Sequence, residues 1–221
     1  LYYKVQPQLE VFAMRGYALL VSGGDEHRFT ATLLDLQWYL ASNDIQVSAC
    51  NLLREHATIT TTIKRNVRLA NEAGVPLLLV YYGHANGIGW HADGATLWYP
   101  RLAIALMRLQ VPCLIINNCC HSLCIMGALE KFCDPDTVGL ICPWEGPYRA
   151  YSRRHENLIR DIIDAWQHSH YLDDMLIHTN TLDADDTPVA KREDPPHERR
   201  LVHRRWGALL DHLFFPACAR T

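Results

Sequence analysis

Val75-Pro-Leu-Leu-Leu-Val-Tyr-Tyr82 is apolar on both of the faces a strand presents, and it stops at Gly83-His84. A strand of this kind must be covered from above and below, the situation of a central strand in a parallel sheet, and Pro76 is tolerable because it stands at the start. A second run, Val111 to Asn117, has the same character and stops at Asn118-Cys119-Cys120-His121-Ser122. Two such runs in one chain leave little room for any class but α/β.

The intervening segments agree. Tyr17-Ala-Leu-Leu-Val21 reads as a first strand closed by Ser22-Gly23-Gly24, and Phe29 to Ala41 as a helix carrying Leu33, Leu36, Trp38 and Leu40. Ile45 to Leu52 reads as a second strand, after which Ile59, Ile63, Val67 and Ala70 recur at helical spacing until Gly74. Leu102, Ala105, Leu106 and Leu109 mark a helix with Pro100 at its start, Leu123 to Phe132 another, and Thr137 to Cys142 a fifth strand. Alternating strands and helices predict a three-layer α/β/α sandwich with a mainly parallel central sheet.

Beyond residue 142, His155 to Trp166 is an amphipathic helix with Leu158, Ile162, Ile163 and Trp166 inward. The polar stretch Asp183 to Arg200 reads as an exposed loop, and Leu201 to Phe215 fits a closing helix or a strand. A length of 221 residues with 49% apolar content suits one domain over 1–221. The net charge of −3, from 21 basic and 24 acidic residues, contains no basic run that would draw the chain to nucleic acid. No apolar stretch approaches the roughly 18 residues of a membrane span, and a signal-peptide pattern is missing. Eight cysteines in or beside apolar runs, at spacings unlike a disulfide scaffold, predict a reducing, cytoplasmic setting. A start at Leu1 is expected of a trimmed or excised domain.

Consecutive parallel strands joined by a crossover helix bring their carboxyl ends to one side of the sheet, where open α/β sheets bind ligands. This places His84 near the Cys119-Cys120 pair. A thiol and an imidazole at neighbouring strand ends are the parts of a cysteine nucleophile and its base. A free thiol has a pKa of about 8.5, and an imidazole together with a following helix N-terminus lowers it. Glycines in Gly83-His84-Ala85-Asn86-Gly87 let backbone N–H groups approach a substrate carbonyl, as an oxyanion hole requires. Cys119, Cys120, His121 and Cys124 also form a set of metal-ligand types, but adjacent ligands without a second Cys-x-x-Cys do not suit a closed tetrahedral zinc site. Ser22-Gly23-Gly24 lacks the spacing of a phosphate-binding loop and reads as a turn. Trp90, Trp98 and Trp144, near strand ends, either line a cleft or pack.

Tyr81-Tyr82-Gly83-His84 after one buried strand and Asn118-Cys119-Cys120-His121-Ser122 after the next resemble the caspase, metacaspase and legumain group of cysteine endopeptidases, over roughly Tyr17 to Trp166. The resemblance implies that Cys120 is the nucleophile and His84 its partner, with N–H groups near Gly83, Ala85 and Cys120 holding the oxyanion. It implies a protein or peptide substrate and no cofactor. Calcium dependence occurs in some metacaspases, but no carboxylate cluster here has the spacing of a calcium loop. It leaves the oligomeric state unknown.

Three positions depart from the group's pattern. Ala85 stands where a glycine is usual, Leu123 replaces the glycine after Cys-His-Ser, and Asn118 replaces an acidic or glutamine residue. The first two favour the alternative of a weakly active or inactive caspase-like binding or scaffolding module. For an active enzyme, Asp35, Asn118 and Glu145 are the expected substrate-pocket residues, and carboxylates there predict cleavage after lysine or arginine. Asp35 falls near the metacaspase position for holding a basic side chain. Arg28 is close enough in sequence to cancel Asp35 or to serve an acidic substrate instead.

Overall fold

The computed structural model describes residues 14–134 and 137–141, together with helical residues 159, 162, 163 and 167. Glu145, Trp144, the 183–200 segment and residues 201–215 lie outside the described residues. Eight strands are present among them, in two sheets.

The larger sheet contains β1 (Gly16–Ser22), β2 (Ile45–Asn51), β3 (Leu77–Tyr82), β7 (Cys113–Asn118) and β8 (Val138–Ile141), in the order β2-β1-β3-β7-β8. All four pairings are parallel. The helices α1 (His27–Ala41), α3 (Ile59–Ala73), α4 (Tyr99–Leu106) and α5 (Met126–Phe132) connect these strands, and α2 (Leu52–Glu55) is a single turn after β2.

Two-residue alternation divides the core. Leu19 and Val21, Leu79 and Tyr81, and Cys113 and Ile115 face one layer, where Ile59, Ile63 and Val67 of α3 and Leu102 and Leu106 of α4 meet them. Ala18 and Leu20, Leu78, Val80 and Tyr82, and Leu114 and Ile116 face the other, against Phe29, Leu33, Leu36 and Leu40 of α1 and against Ile159 and Ile162. The strands are therefore buried on both faces, which explains why β3 and β7 read as unbroken apolar runs. Each fully buried leucine contributes about 1.5–3 kcal/mol. Trp38, expected among the apolar positions of the first helix, is 69% exposed because it falls off the Phe29-Leu33-Leu36-Leu40 stripe. Gly74, with φ of 65°, ends α3 in the left-handed conformation that favours glycine.

Two elements differ from the sequence reading. Residues between His84 and Pro100, to which the sequence assigns no element, form a three-stranded antiparallel sheet of β4 (His84–Asn86), β5 (Gly89–Ala92) and β6 (Ala95–Trp98). Its strands of three and four residues are too short to carry a visible period. The continuous helix expected from Leu123 is instead a 3-10 turn, Ser122–Ile125, followed by α5 from Met126. The Ser122 carbonyl accepts from Asn117 Nδ2 at 2.7 Å, and Cys124 N–H donates to the His121 carbonyl at 3.0 Å, so the chain leaves β7 as a tight turn. An α-helix N-terminus does not directly follow the cysteine pair, so the helix-dipole lowering of a thiol expected there loses its basis.

Candidate active site

The sheet order changes direction between β1 and β3: the chain moves outward from β1 to β2 and then returns to β1's other side. Connections leaving the two strands diverge at such a point and open a crevice beyond their carboxyl ends. At its floor the two backbones touch. A Cβ on Gly23 would lie 2.5 Å from Gly83 Cα, and one on Gly83 would lie 2.4 Å from Gly23 Cα. Only glycine fits at either position, and Gly23 N–H donates to the Tyr82 carbonyl at 2.8 Å across the same contact.

His84 leaves this floor as the first residue of β4. Its carbonyl accepts from the Tyr81 hydroxyl at 2.5 Å, and its ring meets Phe29 edge-on at 5.3 Å. Nε2 lies 2.6 Å from Glu26 Oε1. Glu26 in turn accepts from Arg28 Nε at 2.7 Å, and Arg28 lies over the Phe29 ring at 4.8 Å. Partial burial works to raise the Glu26 pKa, but the hydrogen bond from His84 and the nearby charges of Arg28 and His84 outweigh it and hold the carboxyl below its ordinary value. On the far side of Glu26, Asn51 Nδ2 donates to the Gly24 carbonyl at 3.1 Å and to Asp25 Oδ1 at 2.9 Å, and Arg54 pairs with Asp25. The segment after β1 is braced from both flanking strands.

The end of β7 is built differently. Asn117 is completely buried, and its Oδ1 accepts from Trp90 Nε1 at 2.7 Å and from Cys119 Sγ at 3.3 Å while its Nδ2 holds Ser122. Trp90 is stacked on Tyr81 with ring centroids 4.2 Å apart. The small sheet is thus pinned to the turn after β7 by neutral buried hydrogen bonds. Burial, with Cys119 close by, pushes the phenols of Tyr81 and Tyr99 well up. Cys119 N–H donates to the Asn117 carbonyl at 3.1 Å, folding the chain back, and His121 takes a positive φ of 52°. Cys119 is buried by this turn and Cys120 is left partly exposed. The contrast between adjacent cysteines comes from the turn rather than from strand alternation, since β7 ends at Asn118.

The register Tyr82↔Asn118 sets the ends of β3 and β7 side by side, and Gly83 N–H donates to the Asn118 carbonyl at 3.3 Å, extending that pairing by one residue. His84 and Cys120 each emerge just past this last bond. Gly83 therefore spends on the sheet the N–H expected to serve an oxyanion, and its remaining role is to make the floor. Ala85 is in β4, paired with Trp90. Asn118 is buried, and Arg28 pairs with Glu26. Asp35 is exposed in the middle of α1, eight residues past the helix start at His27 and hence about 12 Å down its axis from this edge. It is not brought to the site.

Sequence reasoning missed Glu26, Asn117 and the Trp90 brace. Glu26 had one signal, its place just before a helix that follows the first strand. Burial works against the thiolate at four other described cysteines. Burial pushes Cys50 up to about 12, aided by Glu55, and Cys133 up to about 11. Burial also raises Cys113 and Cys124. No disulfide joins the described cysteines, and no group of metal-ligand residues is present among the described residues. No described helix is long and apolar enough to cross a membrane.

Solved structures share this architecture. Caspase-1 from Spodoptera frugiperda superposes with a TM-score of 0.58 at 11% identity, over 86% of this chain and 84% of that one. The structure of drICE matches with a TM-score of 0.55 at 14% identity, over 77% of this chain and 82% of that one. The fold is caspase-like. A protein from Geobacter sulfurreducens is similar at a TM-score of 0.54 and 14% identity, over 84% of this chain and 97% of its own. No family model matches the sequence, and no curated protein does.

Proposed function

We propose that this caspase-like chain is a cysteine endopeptidase in which Cys120 and His84 form the catalytic dyad. The observation that carries the reading is the β3–β7 register, with the histidine and the accessible cysteine leaving neighbouring strand ends beyond the same hydrogen bond. The Cys120 proton passes to His84 as Sγ bonds to the scissile carbonyl carbon. N–H groups of Ala85 and Cys120 hold the oxyanion. His84 then protonates the leaving amine as the C–N bond breaks, leaving a thioester. Water attacks the thioester, His84 takes its proton, and the C–S bond breaks as that proton passes to Sγ, restoring the Cys120 thiol and the neutral imidazole.

Protein substrates are the general kind of partner that the fold suggests. A basic residue before the cut bond remains the preferred class, now with Asp25 and Glu26 as carboxylates at the crevice. Each already faces an arginine, so a substrate cation would compete with Arg54 or Arg28. One observation favours the second reading, a non-catalytic module: Gly83 N–H is committed to the Asn118 carbonyl, so one expected oxyanion donor is lost.

A thiol-directed peptide electrophile distinguishes the two. The expected result is a single adduct mapped to Cys120 by peptide mass and lost in His84→Ala. Labelling spread over several thiols, or unchanged in that variant, overturns the dyad.

A further inference from the structure

A carboxylate that meets a histidine nitrogen usually decides which of its two nitrogens carries the proton. Glu26 is the N-cap of α1, yet its side chain makes no capping bond to the helix backbone. The helix start is satisfied through the Glu26 carbonyl, which accepts from Phe29 N–H at 3.0 Å and Thr30 N–H at 3.3 Å. The carboxylate instead reaches Nε2 of His84, fifty-eight residues away in sequence, at 2.6 Å. An ionised carboxylate only accepts, so Nε2 must be the protonated nitrogen. Arg28 holds the other carboxylate oxygen at 2.7 Å, and the imidazole packs edge-to-face with Phe29.

We propose that Glu26 is a positioning residue: it holds His84 with the proton on Nε2, so that Nδ1 is the nitrogen exchanging a proton with Cys120. Its consequence for turnover rests on the peptidase reading, whereas its consequence for the histidine does not. Without Glu26 the neutral ring divides between two tautomers, and the fraction with its proton on Nδ1 cannot accept one from the thiol. Triads in unrelated hydrolases use a carboxylate in this way, but this pair is about half exposed, so its effect is smaller than in a buried triad.

The test is long-range proton–nitrogen NMR on the intact 15N-labelled protein, with the His84 signals assigned by their loss in His84→Ala. The wild type is expected to show the Nε2–H form. Glu26→Gln, whose amide oxygen still accepts, is expected to keep it, and Glu26→Ala to show a mixture. In parallel, Glu26→Ala is expected to lower kcat about tenfold with KM unchanged, and Glu26→Gln to lower it less. A folded Glu26→Ala protein that keeps the wild-type tautomer overturns the proposal, whatever its activity. If that variant does not fold, the wild type alone decides: at a pH where the ring is neutral, a His84 that carries its proton on Nδ1 overturns the proposal. A wild type that shows the tautomer response but cleaves no peptide removes the peptidase reading alone.

Discussion

The two strand ends that form the crevice are built on opposite principles. After β7, neutral groups hold the turn: the buried Asn117 side chain bonds Trp90, Cys119 and the Ser122 carbonyl out of reach of water. After β3, His84 is held at the surface by the Glu26 carboxylate, which is itself in an exposed ion pair with Arg28. A buried neutral network is insensitive to salt and costly to disturb, whereas an exposed ion pair is weak and follows pH and ionic strength. The cysteine side is therefore set by folding, and the histidine side by the solution. Mutation, acid and salt should act unequally on the two.

The largest effect belongs to the thiols. Cys120→Ala is expected to abolish peptide hydrolysis, while Cys119→Ala retains most of it with some loss of stability, because Cys119 is a buried strut. Purified variants assayed on one fluorogenic peptide decide this, and the reverse ranking would make Cys119 the nucleophile. His84→Ala comes next, with turnover expected to fall by about two to four orders of magnitude, the usual contribution of general acid–base catalysis. Its circular dichroism should match the wild type. An unfolded variant would mean that both strand ends are structural and that the contrast between them is false.

Asn117→Ala isolates the buried side. It orphans Trp90 Nε1–H and frees the Ser122 turn, so a destabilisation of about 1–3 kcal/mol is expected in urea unfolding, with the same value at low and high salt. A cost that shrinks with salt would erase the distinction drawn here.

The smallest effect is on the charged side. Because the Glu26 pKa in the fold lies below its ordinary 4.5, its carboxylate contributes to stability above that value. The contribution is lost as acid carries the pH down through the lowered pKa. Wild type and Glu26→Gln should therefore converge in stability only on the acid side of 4.5, and added salt should narrow their difference at neutral pH. Curves that are parallel down to strong acid would mean that Glu26 is not ionised in this contact.

What the sequence disclosed follows from where side chains are read by periodicity. Strands β1, β3 and β7 were legible because burial on both faces leaves continuous apolar runs, and α3 because Ile59, Ile63, Val67 and Ala70 repeat up to Gly74. The small sheet was not, since its strands are so short. Its one signal was Asp93-Gly94, a two-residue turn with Gly94 at φ of 84° between the paired residues Ala92 and Ala95. His84 and Cys120 could be nominated because strand ends converge in a parallel sheet. Glu26 could not, since its partner lies in another crossover unit and no local pattern records a contact between loops. The same limit applied to Asp35. Residue type made it a candidate, but its position along α1 carries it down the helix, away from the crevice.

The contact between Gly23 and Gly83 has a consequence for anyone who would redesign this protein. The gap between the two strand ends is fixed by main chain against main chain, with the Tyr81 hydroxyl packed beside it. Substitutions on the flanking loops can repaint the walls of the crevice, changing its charge and its taste for one residue over another. Its aperture is a constant of the scaffold. Selection for new substrates should therefore accumulate changes around the two glycines while leaving the pair untouched, and a library that varies either one should return almost only parental glycine among folded clones.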